Sequence, residues 1–258
     1  MSTDWLVLVD EPASGPRNMA LDAALLEAAE RDGRSTLRLY AWDPPTLSFG
    51  RNEPALARYD RAAITARGLP VVRRPTGGRA VWHHREVTYA VAAPAAAFGS
   101  LRASYREIHA MLAAALASLG ADVRLADDRP ADGVGSGACF ASAAGGEVTA
   151  PGRGKLVGSA QVRGDGAFLQ HGSLLLAAEQ DVVAAVTVGD ARPPAATGLA
   201  ELLGPERARW GPVSAAIHAA AARRWGAPPR AGTLPPEVRR SAERLEPAYA
   251  DPAWTWRR

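Results

Sequence analysis

The sequence predicts an α+β fold: a mixed or antiparallel sheet flanked by helices. Three features of the 258 residues carry that expectation. Runs with strand character are concentrated in the first 176 residues, helical segments are interspersed among them, and the pattern from residue 178 onward is helical.

Trp5 to Val9 is an apolar run of strand length. Asn18 to Glu30 predicts a helix, with Leu21, Leu25 and Ala28 on one face and Gly33 just past its end. Leu37 to Ala41 and Thr46 to Phe49 are further strands, separated by the breaker Asp43-Pro44-Pro45. Ala55 to Arg67 reads as one helix stopped by Gly68, and Leu69 to Arg73 as a strand running into Pro75-Thr76-Gly77-Gly78. Ala80 to Ala93 reads as strand, with Val87, Tyr89 and Val91 sharing a side by the period of two.

The clearest helix is Leu101 to Leu119. Ile108, Met111, Leu112, Ala115, Leu116 and Leu119 recur at helical spacing there, and Gly120 caps the end. A glycine-rich loop from Ala126 to Gly137 then leads to Cys139. Lys155 to Arg163 and Ala167 to Leu176 are extended runs joined by Gly164-Asp165-Gly166, a three-residue hairpin signal. Helices over Glu179 to Val188, Pro212 to Trp225 and Pro235 to Arg244 follow, with a loop from Gly189 to Gly198.

A chain of this length buries roughly 70–75% of its unfolded surface, so its core needs no disulfide or structural metal. One cysteine could not form an internal bridge in any case. The start offers Asp4 and only five consecutive apolar residues, and no uncharged apolar run reaches the roughly 18 residues of a spanning helix. The expected setting is a reducing cytoplasm, with no signal peptide and no membrane partner. Net charge is +3 and the charges are scattered, which argues against a nucleic-acid binder and leaves room for a mildly basic face toward an acidic protein.

Of the 30 basic residues only Lys155 is a lysine. A compact ammonium approaches a small polar group as a point charge, which a planar guanidinium does poorly. Cys139 follows a loop rich in small residues, a setting that favours an accessible thiol. Should the fold bring Lys155 to Cys139, the ammonium would favour the thiolate and hold the oxygen of an acyl group bound to it. Gly77-Gly78 between two strands lets the backbone approach a carboxylate, phosphate or acyl carbonyl closely, although a simple turn uses the same pair. Neither a Walker loop nor a Rossmann fingerprint is present there. His83, His84 and His171 lie near these segments and leave a Cys-His hydrolase dyad open. No Cys/His pair has zinc-ligand spacing, so no metal site is expected.

The segment Arg73-Arg74-Pro75-Thr76-Gly77-Gly78-Arg79-Ala80-Val81-Trp82-His83 resembles the Arg-Arg-x-Ser/Thr-Gly-Gly-x-x-Val-x-His segment of the lipoate-protein ligase and octanoyltransferase superfamily. Gly154-Lys155-Leu156-Val157-Gly158-Ser159-Ala160-Gln161 is similar to its lysine strand, and Gln170-His171-Gly172-Ser173-Leu174-Leu175 to the strand after it. Asn18-Met19-Ala20-Leu21-Asp22 resembles its first helix, and Trp42 with Pro45-Thr46-Leu47-Ser48-Phe49-Gly50 its next loop and strand. The matches keep their order over residues 18 to 176. Four places depart from the family pattern: His84 where Asp is usual, a bulkier Trp82, Asn52-Glu53 where a Gln is common, and the Ala/Gly-rich stretch Ala141 to Gly146, which lacks the usual aromatic content.

The resemblance implies a fold like the catalytic domains of biotin ligases and class II tRNA synthetases, with a catalytic acyltransferase core over 1–188 and a helical extension over 189–258 packed on the same domain. It implies a cysteine-dependent octanoyltransferase. In that reading an octanoyl group leaves acyl carrier protein, rests as a thioester on Cys139, and passes to a lysine of a lipoyl domain or glycine cleavage H protein, with Lys155 polarising the carbonyl. Arg73, Thr76, Gly77, Gly78, His83, Gly158, Ser159, Ala160, His171 and Gly172 would form the substrate site. No cofactor is needed on that route. The alternatives are an ATP-dependent lipoate ligase, an amidotransferase between lipoyl-bearing proteins, and a non-catalytic acyl- or nucleotide-binding module.

Overall fold

The computed structural model describes residues 4–126, 146–189 and 196–257. In chain order these begin with β1 (Trp5–Val9), α1 (Gly15–Asp32), β2 (Ser35–Tyr40), β3 (Thr46–Phe49), α2 (Ala55–Arg58), α3 (Arg61–Ala66), β4 (Val71–Arg73), β5 (Val81–His83) and β6 (Glu86–Pro94). They continue with α4 (Leu101–Ser118), β7 (Arg124–Leu125), β8 (Val148–Thr149), β9 (Val157–Arg163), β10 (Ala167–Leu175) and α5 (Asp181–Ala185). The last four are α6 (Ala200–Leu203), α7 (Trp210–Trp225), α8 (Pro236–Ala250) and α9 (Pro252–Thr255).

The main sheet has the order β1-β2-β6-β10-β9. Its β1–β2 pair is parallel and the other three pairs are antiparallel. Both faces are covered. Val87, Tyr89, Val91 and Ala93 of β6 pack with Ile108, Met111, Leu112 and Leu116 of α4 and with Val213 and Ile217 of α7. Ala90 and Ala92, pointing the other way, join Leu21 and Leu25 of α1 and Val238 and Ala242 of α8. The alternation of a strand thus feeds two cores at once. A smaller sheet, β4-β3-β5, carries a third apolar cluster of Leu47, Phe49, Tyr59, Ile64, Trp82 and Trp256.

Local chemistry sets the ends of α1. The Ser14 hydroxyl accepts from the Arg17 N–H, Pro16 sits in the first turn, and Gly33 closes the helix at φ 66° with its N–H on the Ala29 carbonyl. The expected hairpin is present between β9 and β10, with Gly166 at φ 75° and the Gly164 N–H on the Ala167 carbonyl at 2.9 Å.

Three expected elements take a different form. The helix over Ala55 to Arg67 is broken in two, because Tyr59 pairs as an isolated bridge with Thr187 and the Asp60 carboxylate caps α3 through the Ala63 N–H. The strand over Ala80 to Ala93 is split at His84-Arg85, where Arg85 adopts φ 47°, and its halves enter different sheets. Lys155 lies just before β9 rather than in it, bridging Thr149 and Ala196.

Candidate active site

Strands β9 and β10 meet the loops after β2 and β4 around a narrow cleft. Met19, Trp42, Arg74, His83, Ala160 and His171 line it, together with Gly158, Ser159, Gly172 and Ser173. Six of the expected site residues therefore share one wall: His83, Gly158, Ser159, Ala160, His171 and Gly172. Gly172 has no room for a side chain. A Cβ there would come within 2.5 Å of the Gly158 carbonyl and of the Ser159 hydroxyl.

Thr76 reaches this wall through His171, whose Nε2 lies 2.5 Å from Thr76 Oγ1. His171 Nδ1 is 2.8 Å from Asp22 Oδ2, and the Asp22 carboxylate also accepts from Arg38 Nη1 and the Tyr40 hydroxyl, each at 2.8 Å. Burial raises the Asp22 pKa, but the His171 hydrogen bond and the Arg38 charge outweigh it, and the net direction is down. Burial pushes the His171 pKa down against the pull of Asp22. A neutral imidazole facing a carboxylate carries its proton on Nδ1. Nε2 then accepts from the Thr76 hydroxyl, and the threonine is held by a buried charge two bonds away.

His83 is fixed at both nitrogens. Nδ1 lies 2.8 Å from Glu86 Oε1 and Nε2 2.7 Å from Ser48 Oγ, while the ring stacks on Trp42 at 4.0 Å. Glu86 Oε1 also accepts from Thr88 and Ser173. His84, the departure from the family pattern, pairs instead with Glu179 at 2.5 Å. The orientation of His83 thus comes from Glu86 and Ser48.

Arg73 and Arg74 do different work. Arg73 is buried and ties backbone together: Nη1 donates to the Gly50 and Glu53 carbonyls and Nε to the Thr255 carbonyl, so it does not form part of the cleft wall. Arg74 lines the cleft and staples the glycine loop, with Nη2 donating to the Gly77 and Arg79 carbonyls at 2.8 and 2.7 Å. Gly77 and Gly78 border a second cleft of about 350 Å³, shared with Asn52, Pro54, Arg58 and Arg79. Gly78 stands at φ 91° and packs so closely that a Cβ at Gly50 would lie 1.9 Å from its carbonyl oxygen.

Lys155 is buried, with Nζ 2.8 Å from Glu147 Oε1, which also accepts from the Tyr105 hydroxyl at 2.8 Å. The Tyr105 ring meets His109 edge-on at 4.2 Å, and His109 Nε2 lies 2.8 Å from Ser159 Oγ. Burial first, and the Lys155 charge second, push the His109 pKa down to about 3. The Lys155 cluster and the cleft therefore share Ser159. Cys139 lies outside the described residues, so its relation to Lys155 is not part of this geometry. Among the described residues no group of three His, Cys, Asp or Glu side chains could hold a metal ion.

Sequence reasoning did not single out Glu86, His109 or Glu147. For His109 one signal existed: a titratable side chain inside the apolar stripe of Ile108, Met111 and Leu112. The same holds for Asp22, a carboxylate amid Leu21, Ala24 and Leu25. Glu147 had none.

The profile described as the lipoyl protein ligase A/B catalytic domain covers residues 14–208. A protein named octanoyltransferase LipM from Kyrpidia tusciae is 39% identical over 98% of this chain and 99% of its own length. The LipM of Moorella thermoacetica is 44% identical over 69% of this chain and 68% of its own. Among solved structures, lipoate-protein ligase A bound with ATP superposes with a TM-score of 0.80 at 18% identity, covering 98% of both chains. Protein Ta0514 of T. acidophilum with bound lipoic acid also gives 0.80, at 19% identity over 99% of this chain and all of that one. These likenesses establish the fold. The profile match and the 39% identity over nearly the whole length show that the chain belongs to the lipoyl protein ligase A/B catalytic domain family.

Proposed function

We propose that the chain is an octanoyltransferase of protein lipoylation, moving an octanoyl group from acyl carrier protein through a thioester on Cys139 to a lysine of a lipoyl domain or H protein. The LipM relatives, 37–44% identical, support this over ATP-dependent ligation. The observation that carries it is Lys155. It is the one lysine of the chain, buried as an ion pair with Glu147, three residues before the strand segment that walls the cleft.

In this reading the Cys139 thiolate adds to the donor carbonyl. The tetrahedral oxyanion is held by the Lys155 ammonium, and collapse expels the carrier thiolate. The acceptor amine then attacks the Cys139 thioester, loses its proton and leaves an amide, releasing the sulfur. The first exchange trades one thioester for another. The second runs downhill. The apolar cleft between Trp42, His83 and Ala160 takes the acyl tail in this scheme; its space of about 20 Å³ is that of one water, so the scheme requires the walls to part for eight carbons. The same reading takes 1–188 as catalytic core and 189–258 as an extension, supported by α7 packing on α4 and α8 on α1. No helix among the described residues is long and apolar enough to cross a membrane.

Intact-protein mass spectrometry after incubation with octanoyl-acyl carrier protein tests this. The expected result is an octanoyl adduct that Cys139→Ser lacks and that a lipoyl domain discharges. ATP-dependent formation of an acyl-adenylate without any adduct would overturn it.

A further inference from the structure

Residues 51–79 hold seven arginines and two carboxylates in a chain whose net charge is only +3. Both carboxylates are occupied inwardly or locally. Glu53 is buried, accepts from the Gly50 N–H and the Tyr59 hydroxyl, and lies 3.7 Å from Arg58 Nη1, whose charge it partly offsets; Asp60 caps α3. Asp60 stays exposed, Arg73 and Arg74 are buried, and Arg51, Arg61 and Arg67 are exposed, so the stretch shows a net positive charge to solvent.

The arginines are gathered in space. Arg257 donates to the Arg51 carbonyl at 2.6 Å, and the Arg61 guanidinium stands over the neighbouring Trp256 ring at 5.1 Å. Arg58 lies three residues before Arg61, and its carbonyl accepts from the Val188 N–H at 2.8 Å. Among the described residues three large hydrophobic side chains are exposed. Two of them are Leu56, at 55% and two residues before Arg58 in α2, and Val188, at 61% and joined to Arg58 by that bond. An apolar pair beside arginines is the composition of a protein-docking surface rather than of an ordinary solvated face. Arg58 also borders the 350 Å³ cleft that ends on Gly77 and Gly78.

We infer that the face around Leu56 and Val188, with Arg51, Arg58 and Arg61, docks an acidic acyl carrier protein as donor. The inference rests on the octanoyl-transfer reading. Charge selects the donor over the acceptor. A carrier presents carboxylates and a thioester on a phosphodiester-linked arm, which a ring of guanidinium groups attracts. An acceptor must bring a lysine ammonium, which the same ring repels. The cleft from Arg58 to Gly77 gives the arm a route toward the glycine loop.

The test compares two donors, octanoyl-acyl carrier protein and the small uncharged octanoyl-N-acetylcysteamine, with wild type, Arg51→Glu/Arg61→Glu and Leu56→Glu. The expected result is a loss of about tenfold or more in kcat/KM for the carrier-bound donor, carried by KM and shrinking at high salt. The small thioester, which also reports that the variants are folded, should stay within about twofold. Equal loss with both donors, or no loss with either, overturns the proposal, as does a loss confined to transfer onto the lipoyl domain. Failure of the wild type with both donors removes the octanoyl-transfer reading itself; a working wild type with unaffected variants removes only the docking face.

Discussion

His109 Nε2 lies 2.8 Å from the Ser159 hydroxyl, and the direction of that bond follows from its neighbours. The Gln161 amide donates to Gln170 Oε1, and the Gln170 amide donates to the Tyr89 hydroxyl, both at 2.8 Å. Tyr89 then gives its proton to Ser159 at 2.6 Å, and Ser159 gives its own to His109. The imidazole at the end of this chain is an acceptor at Nε2 and is neutral.

Acid should therefore destabilise the protein through His109. Unfolded, the imidazole titrates near 6.5; folded, it is pushed down to about 3. Between those values the unfolded chain binds the extra proton, so stability present above 6.5 is lost as pH falls. At pH 5 the loss from this residue is about 2 kcal/mol. His171, lowered by burial, acts in the same direction. Urea midpoints at pH 7.5 and 5 should differ less for His109→Gln than for wild type, and an unchanged difference would contradict the assignment.

The buried Lys155–Glu147 pair separates structural from chemical roles. Lys155→Met alone leaves the buried Glu147 carboxylate with the Tyr105 hydroxyl but without its ammonium, and should cost about 3 kcal/mol. Lys155→Met/Glu147→Gln removes both charges and should recover most of that stability in a denaturant titration. It should still form no amide on a lipoyl domain. Recovery of transfer along with stability would show that the ammonium serves folding alone.

The glycine pair should respond unequally to alanine. Nothing lies within 4 Å of a Cβ at Gly77, so Gly77→Ala should shift stability by no more than about 0.5 kcal/mol. Gly78 stands at φ 91°, and a Cβ there would sit 2.7 Å from Arg74 Nη2. Gly78→Ala should cost about 1–3 kcal/mol and loosen the Arg74 staple. Thermal melts of the two variants check the order, and equal melting points would refute it.

Much of this architecture was legible before any coordinates. Trp5–Val9 and Thr46–Phe49 are strands at the expected bounds, and α4 ends one residue short of its expected Leu119. Such segments announce themselves because one period runs uninterrupted between clear breakers. The helix expected over Ala55 to Arg67 failed for the opposite reason. Its alanines satisfy any helix, and only a distant pairing of Tyr59 with Thr187 reveals the corner. For the candidate site, contiguous motifs were what the sequence offered, and His83, Gly158 to Ala160 and His171-Gly172 all reach one cleft. Pairs such as Asp22 with His171, 149 residues apart, are made by sheet register and helix packing and leave no local trace.

Because β6 feeds Tyr89 to one core and Ala90 to the other, the two halves of the molecule have a common partition. Melting of either half should therefore carry the other with it. The amide hydrogens of this strand should exchange with deuterated solvent only when the whole molecule opens, at a pace set by global stability. A cavity cut on the α4 side or on the α1 side would then quicken exchange at the same positions.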